Sequence, residues 1–239
     1  MSSLRDRACR ANLELAQSGL VIGTFGNLSV IDRAAGVFAI KPSGVGYAEL
    51  TPDKIVLVSL ESGTAVDSAL RPSSDTPTHL ALYRAFGCGA IVHTHSEYAT
   101  MFAQARTPIG CMGTTHADYF RGDIPVTRAM TQAEVETDYE ANTGAVIVEA
   151  FTVGNISPEE VPAVLVANHA PFTWGPDAAT AIEHARVLEF IARMDWRARV
   201  MAPDAPRPDQ FLIDKHYFRK HGPGAYYGNP DRAVATASA

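Results

Sequence analysis

Apolar residues recur along this chain with two different periods, and their alternation predicts helices interleaved with short strands. Leu4, Ala8, Ala11, Leu15 and Ala16 fall at helical spacing, so residues 3–18 are expected as a helix stopped by Gly19. Leu28 to Ile31 and Val37 to Ile40 flank Asp32-Arg33-Ala34-Ala35-Gly36, which reads as a hairpin loop. Ile55 to Leu60 runs into a further turn at Glu61-Ser62-Gly63. Strands joined by hairpins imply a largely antiparallel sheet.

Thr76-Pro77 opens a helix that runs to about Phe86, with Thr76 as its cap and Pro77 at the first position. The apolar run Ala90-Ile91-Val92 then leads into His93-Thr94-His95, and a helix is expected over 96–105. Thr131 and Glu134 make a capping box for a helix starting near Gln132. Gly144 interrupts that pattern, and Ala145-Val146-Ile147-Val148 fits either helix or strand. Pro176 to about Val200 is the longest helical pattern, with Ala181, Ile182, Ala185, Leu188 and Ile191 on one face. Pro203, Pro206 and Pro208 break the chain before a last segment, 209–228, and residues 229–239 read as a disordered tail. The expected architecture is one three-layer α/β/α domain over 1–228, built around a mostly antiparallel central sheet.

Composition narrows the function. The chain has 239 residues and is 46% hydrophobic, which suits one large domain with a sizeable core. A net charge of −6 argues against a nucleic-acid or acidic-membrane binder. Cys9, Cys88 and Cys111 form no CxxC pair, so a reducing compartment is expected, with no disulfide framework and no thiolate metal site. The first residues mix charges with apolar groups and lack the core of a signal peptide, and no apolar run approaches the ~20 residues that span a bilayer. A cytoplasmic enzyme is the expectation. Neither a dinucleotide-binding fingerprint nor a phosphate-binding P-loop is present; the Gly222 to Gly228 run has the wrong spacing and follows no strand.

Three constellations carry chemistry. Alternate residues of a strand face the same side with Cα atoms roughly 6.5–7 Å apart, so His93 and His95 can share one metal ion. A second apolar run, Ala163 to Asn168, ends in His169, which offers a third ligand at a second strand end. Histidines without cysteines suit a catalytic rather than a structural site, and Asp75, just before a helix, is the candidate carboxylate. For an anion, Lys41-Pro42-Ser43-Gly44 follows a strand and Arg71-Pro72-Ser73-Ser74 precedes a helix, with Gly26-Asn27 as further donors. For acid–base work, Thr114-Thr115-His116-Ala117-Asp118-Tyr119, His216-Tyr217 and Tyr226-Tyr227 are rich in titratable groups.

From about Asn12 to Gly228 the chain resembles the class II aldolase family, and within it the L-ribulose-5-phosphate 4-epimerases. The resemblance lies in Thr24-Phe25-Gly26-Asn27-Leu28-Ser29, Lys41 to Val45, the Pro-Ser-Ser-Asp-Thr-Pro-Thr-His run at 72–79, His93 to Ser96, Gly113 to Phe120, and Asp214 to Gly222. It implies a divalent metal, zinc or alternatively manganese or cobalt, held by His93, His95 and His169 with Asp75 at the acidic position. The related aldolases carry glutamate there, so the aspartate favours the epimerase. It implies phosphate binding by Ser43, Gly44, Ser73 and Ser74, with Gly26, Asn27 and Lys41 in the same pocket, and support from Thr114, Glu140 and His216. It implies Asp118 and Tyr227 as the acid–base pair, contributed by the neighbouring subunit of a homotetramer. Phe25 departs from the tryptophan usual in the epimerases.

The implied reaction interconverts L-ribulose 5-phosphate and D-xylulose 5-phosphate, as in arabinose catabolism and related pentose phosphate routes. The proton at carbon 4 is not α to the ketone, so inversion there proceeds by cleaving and re-forming the carbon 3–carbon 4 bond. An aldolase that releases its aldehyde shares the histidines and the phosphate residues and is separated only by Asp75 and the 114–120 loop, and a metal-dependent sugar-phosphate dehydratase of the same family is a second rival. A non-catalytic metal-binding assembly protein is the rival from another class.

Overall fold

The computed structural model describes residues 2–227, so the tail expected over 229–239 lies outside the described residues. Six strands, β1 (Asn27–Asp32), β2 (Val37–Ile40), β3 (Val56–Ser59), β4 (Ala90–His93), β5 (Ala163–Leu165) and β6 (Pro171–Gly175), form one sheet in the order β3-β2-β1-β4-β6-β5. Every pairing between these strands is antiparallel, as the hairpin pattern predicts. The helices are α1 (Leu4–Gln17), α2 (Thr76–Ala85), α3 (Glu97–Gln104), α4 (Thr114–Ala117), α5 (Gln132–Gly154), α6 (Ala178–Met201) and α7 (Gln210–Phe218).

Period-2 alternation along the strands divides the core into two layers. Leu28, Val30, Ala39, Ala90 and Val92 pack under α1 and α6. Ile31, Phe38, Ile40, Ile91, Phe172 and Trp174 pack on the opposite face, under α2 and α5. Burying each such large side chain stabilises the fold by about 1.5–3 kcal/mol relative to exposure. A third cluster ties α3 and α6 to the β5 edge through Phe102, Ile109, Leu165, Leu188 and Ile191. The three-layer α/β/α expectation therefore holds.

Local chemistry accounts for the helix ends. Ser3 with Asp6 closes a capping box on α1, and Thr131 with Glu134 closes another on α5. At α2 the sequence reading is off by one residue: Asp75 occupies the cap position and Thr76 begins the helix. The Asp75 side chain makes no capping bond, so its carboxylate is used elsewhere. Residues 145–148 are helical, within α5. Gly144 interrupts the apolar pattern for a packing reason: a Cβ there would lie 2.6 Å from the Ala81 methyl, so glycine lets α5 close on α2. Helix α5 bends at Asp138, whose backbone is non-helical (φ −149°, ψ 82°). Helix α7 fills only part of the segment expected over 209–228. Cys9, Cys88 and Cys111 are free and buried.

Candidate active site

The strand register builds the site in one row. Asn27 at the start of β1 lies opposite His93 at the end of β4, and His93 lies opposite Phe172 of β6. All three face the α2/α5 layer, because Ile31 and Ile91, each an even number of residues away, point into that layer. The Phe172 ring stacks on the His93 ring with centroids 4.2 Å apart and planes 20° apart. Two residues beyond His93 the chain has left the strand but keeps its alternation, so His95 points the same way.

His169 reaches the same point from the β5–β6 turn rather than from a strand end. Strand β5 stops at Leu165, and Asn168 adopts a left-handed conformation (φ 63°) that asparagine tolerates better than most residues. Its backbone N–H donates to the Ala103 carbonyl at 2.9 Å, and its side-chain oxygen accepts from Arg106 at 2.8 Å. The turn so fixed presents His169 to the other two histidines.

The three imidazoles form a nearly equilateral triangle, with centroids 4.9, 5.0 and 5.1 Å apart. Ligand atoms from all three lie within 4.8 Å of one another, and the two Nε2 atoms of His93 and His95 are 3.1 Å apart. His93 Nδ1–H donates to the Pro171 carbonyl at 2.9 Å, which leaves the Nε2 lone pair pointing at its neighbours. His169 Nδ1 is buried with no protein partner. Burial, reinforced by His93 and His95, pushes His169 down to about 4, and burial also lowers His95. Burial would raise Asp75, but His93, His79 and the Asn27 amide outweigh it and hold the carboxyl below its ordinary value. Converging imidazole nitrogens, an orphaned buried nitrogen and a carboxylate held below its ordinary pKa fit a divalent cation.

The two Pro-Ser loops come together beside this triangle. Ser43 N–H donates to the Arg71 carbonyl and Ser73 N–H to the Lys41 carbonyl, both at 3.0 Å, so the two Pro-Ser loops pair side by side. Asn27 Nδ2 bridges them to the carboxylate, donating to Ser73 Oγ at 3.1 Å and to Asp75 Oδ2 at 2.6 Å. Ser43, Gly44 and Ser74 are exposed, while Lys41 is buried, its ammonium 4.9 Å from the Tyr47 ring centroid and its pKa lowered by burial. Tyr47 in turn donates its hydroxyl to the Gly26 carbonyl at 2.9 Å. Gly26 has φ +80°, and a Cβ there would sit 2.9 Å from the His93 carbonyl oxygen. One cavity of about 290 Å³ is lined by Gly26, Asn27, Lys41, Ser43, Gly44, Ser73, Ser74 and Asp75. His93, His95 and His169 complete its wall, together with Thr24, Phe25 and Pro42.

The remaining candidates gather elsewhere. Asp118, which ends α4, accepts from His216 Nδ1 at 3.0 Å and from Arg219 Nε and its terminal nitrogen at 3.0 and 2.7 Å. Lys220 stands 3.6 Å from the same carboxylate. Burial would raise Asp118, but its bonds to Arg219 and His216 and the nearby cations hold it below its ordinary value. The exposed Tyr227 ring lies under Arg219 and Lys220, at 4.5 and 4.9 Å. Thr114 begins α4, and Glu140 follows the bend in α5, where its carbonyl accepts from Thr78 Oγ1 at 2.6 Å. Among the described residues, none of Thr114, Asp118, Glu140, His216 and Tyr227 lines the histidine cavity of its own chain.

Sequence reasoning passed over several contributors. Phe25, noted only as a departure, stacks on His95 at 5.5 Å and 27°. Tyr139, the first residue after the α5 bend, comes within 6.0 Å of the His169 ring. Arg219, inside a recognised run but given no role, is the bidentate partner of Asp118. Only for Arg219 was there a usable signal, since a carboxylate assigned to proton transfer calls for a cationic or hydrogen-bonding partner.

The family model for the class II aldolase and adducin N-terminal domain matches residues 6–196. A structure of an L-fuculose 1-phosphate aldolase superposes with a TM-score of 0.73 at 26% identity, covering 90% of this chain and 97% of that one. The L-fuculose 1-phosphate aldolase from Glaciozyma antarctica gives 0.71 at 19% identity, over 93% and 83% of the two chains. The enzyme of that name from Thermus thermophilus gives 0.65 at 23%, over 86% and 98%. The last two likenesses speak for the fold alone. With most of its length inside the family model and a histidine triad that can hold the metal this family depends on, the chain belongs to the class II aldolase family.

Proposed function

We propose that this protein is a metal-dependent epimerase interconverting L-ribulose 5-phosphate and D-xylulose 5-phosphate. One observation carries the choice within the family: the acid beside the histidine triad is Asp75, where the related aldolases carry glutamate. Aspartate is one methylene shorter, and here its carboxylate is drawn toward Asn27 at 2.6 Å.

In this reading His93, His95 and His169 hold the metal, zinc or alternatively manganese or cobalt, with Asp75 beside them. When bound, such an ion supplies a Lewis acid that stabilises negative charge on the ketose oxygens. Ser43, Gly44, Ser73 and Ser74 bind the phosphate through the serine hydroxyls and the backbone N–H groups of Gly44 and Ser74. Asn27 and Lys41 orient the sugar from the cavity wall. Asp118 and Tyr227 flank carbon 4 from opposite sides. One takes the carbon 4 hydroxyl proton while the carbon 3–carbon 4 bond breaks, its electron pair passing toward the ketone to give an enediolate. The phosphate grip retains the glycolaldehyde phosphate while its aldehyde turns. The bond re-forms on the other face, and the second group returns a proton to the new alkoxide.

Asp118 and Tyr227 lie outside the cavity of their own chain, which supports their service in a neighbouring subunit's site within a homotetramer. Thr114, Glu140 and His216 support the reacting groups in the same arrangement. The buried free cysteines support a reducing location, the cytoplasm. Among the described residues no helix is long and apolar enough to cross a membrane.

The second reading is an aldolase that releases its aldehyde, favoured by the likeness to L-fuculose 1-phosphate aldolases. The experiment is to incubate metal-loaded protein with L-ribulose 5-phosphate and follow D-xylulose 5-phosphate and glycolaldehyde phosphate, with and without chelator. Chelator-sensitive xylulose 5-phosphate without free aldehyde is the expected result. Accumulating aldehyde makes it an aldolase, and no turnover of either kind rejects both readings for this substrate.

A further inference from the structure

Two buried polar atoms on the contact between β1 and α2 have no protein partner, Asn27 Oδ1 and His79 Nε2. Both belong to a ladder of polar side chains that crosses the contact. On β1, Asn27 and Ser29 are two residues apart and share a face. On α2 and its cap, Asp75, His79 and Tyr83 are four apart and share a face. Two strand residues advance roughly 6.8 Å and four helical residues roughly 6 Å, so the two sets can meet rung by rung. They do: Asn27 Nδ2 donates to Asp75 Oδ2 at 2.6 Å, and Ser29 Oγ lies 2.6 Å from His79 Nδ1 and 2.8 Å from the Tyr83 hydroxyl.

Ser29, His79 and Tyr83 are essentially fully buried. Polar groups at this depth are costly unless bonded, and apolar residues of similar size would fill the space without that cost. The ladder is therefore a device for register. The Asp75 side chain has one direct tether, Asn27, and no capping bond to its own helix. Its place at the cavity wall is set by how far α2 stands along β1, and the Ser29–His79–Tyr83 rungs fix that distance one turn further on. Ser29 and His79 both lie within the runs that carry the family resemblance, yet metal and phosphate binding leave them without a task.

We propose that His79, held by Ser29 and Tyr83, is a positioning residue for Asp75, setting the reach of its carboxylate toward His93, His95 and His169. The inference rests on the metal reading of that triad. It predicts energetic coupling between the lower rungs and Asp75, which a general packing role would not produce.

The test is a double-mutant cycle read by cobalt(II) titration and the visible spectrum of the cobalt-loaded protein. Ser29→Ala should lower cobalt affinity by about tenfold, the scale of supporting residues around metal ligands, and shift the visible bands. In an Asp75→Asn background the same substitution should change neither. Tyr83→Phe keeps the ring volume and removes only the hydroxyl; it should move affinity in the same direction by less, and it serves if Ser29→Ala fails to fold. Unchanged affinity and spectrum in both single variants would overturn the proposal while leaving the metal site standing. An equal loss in both backgrounds would also overturn it, marking the ladder as packing alone. A wild-type protein that binds no cobalt overturns the metal reading and this inference together.

Discussion

Asn27 Nδ2 donates to Asp75 Oδ2 at 2.6 Å, joining the first residue of β1 to the cap of α2 across 48 residues of sequence. The same amide donates to Ser73 Oγ at 3.1 Å, so one side chain links a Pro-Ser loop to the carboxylate beside the histidine triad. Asn27→Leu keeps much of the volume but leaves a half-buried carboxylate without its donor. A loss of about 1–3 kcal/mol in stability is expected, together with weaker metal binding. Urea unfolding in chelator reads the first effect, and cobalt titration of the folded protein reads the second. A variant as stable and as tight-binding as the parent would remove Asn27 from this role.

His95 is the most accessible test of the triad, because it lies outside β4 and packs mainly on Phe25, His93 and His169. His95→Asn should abolish both stoichiometric metal binding and turnover while the fold survives. Turnover in a variant shown to be free of metal would sink the metal hypothesis.

Gly26 is required by geometry twice over. At φ +80° an alanine is strained by about 1–2 kcal/mol, and its Cβ would meet the His93 carbonyl oxygen at 2.9 Å. That oxygen belongs to His93 of the triad, so Gly26→Ala should depress metal affinity as well as thermal stability. Calorimetry with and without bound metal separates the two, and an unperturbed metal-induced shift in Tm would argue against coupling between this turn and the site.

Much of the site was legible in the sequence because periodicity, caps and turns are local. The His93/His95 alternation needs only a strand end, and the two Pro-Ser loops announce themselves by composition. The capping box of Thr131 and Glu134 also reads directly from spacing. What escaped depends on approach between distant segments. Gly144 looked like a break in a helix and is instead a contact with Ala81. Asp75 is legible as an acid before a helix, but its hydrogen bond to Asn27 comes from how α2 docks along β1, which no local pattern encodes. The apolar run places His169 at a strand end, whereas β5 stops at Leu165 and a turn with left-handed Asn168 carries the histidine inward. The Asp118–Arg219 pair likewise joins residues 101 positions apart.

Acid should weaken the metal-free protein in two separable stages. Burial holds His79 at about 3 and His116 at about 4, although the Gly122 carbonyl favours the charged form of His116. In the unfolded chain both titrate near 6.5, so between about 6.5 and 4 the unfolded state binds more protons than the folded one. Stability must then fall as pH falls through that window, by up to ~1.4 kcal/mol per unit for each histidine. The carboxylates held below their ordinary values, among them Asp75, Asp118 and Asp123, act in the opposite range: their contribution is complete above about pH 4 and is lost below it. Urea midpoints measured across this range in chelator should decline first with histidine titration. A flat profile from pH 7 to 4.5 would contradict the buried, neutral histidines.

Asp118 and His95 would serve the same reaction from different chains, and that division can be tested without a structure of the assembly. Asp118→Asn should keep its metal and lose epimerisation, but it also strips a half-buried anion from Arg219, His216 and Lys220, so folding has to be verified by near-ultraviolet circular dichroism. His95→Asn is inactive for the complementary reason. If each site takes its metal ligands from one subunit and its proton-transfer pair from the next, co-refolding equal amounts of the two dead variants regenerates intact sites. Random mixing in a closed ring places a metal-competent chain beside an Asp118-bearing neighbour at roughly a quarter of the boundaries. Activity should therefore return to about that fraction of wild type, and dilution that separates the subunits should remove it. Mixed preparations that stay inactive while forming assemblies of the parental size would put both groups in one chain's site and reject the shared arrangement.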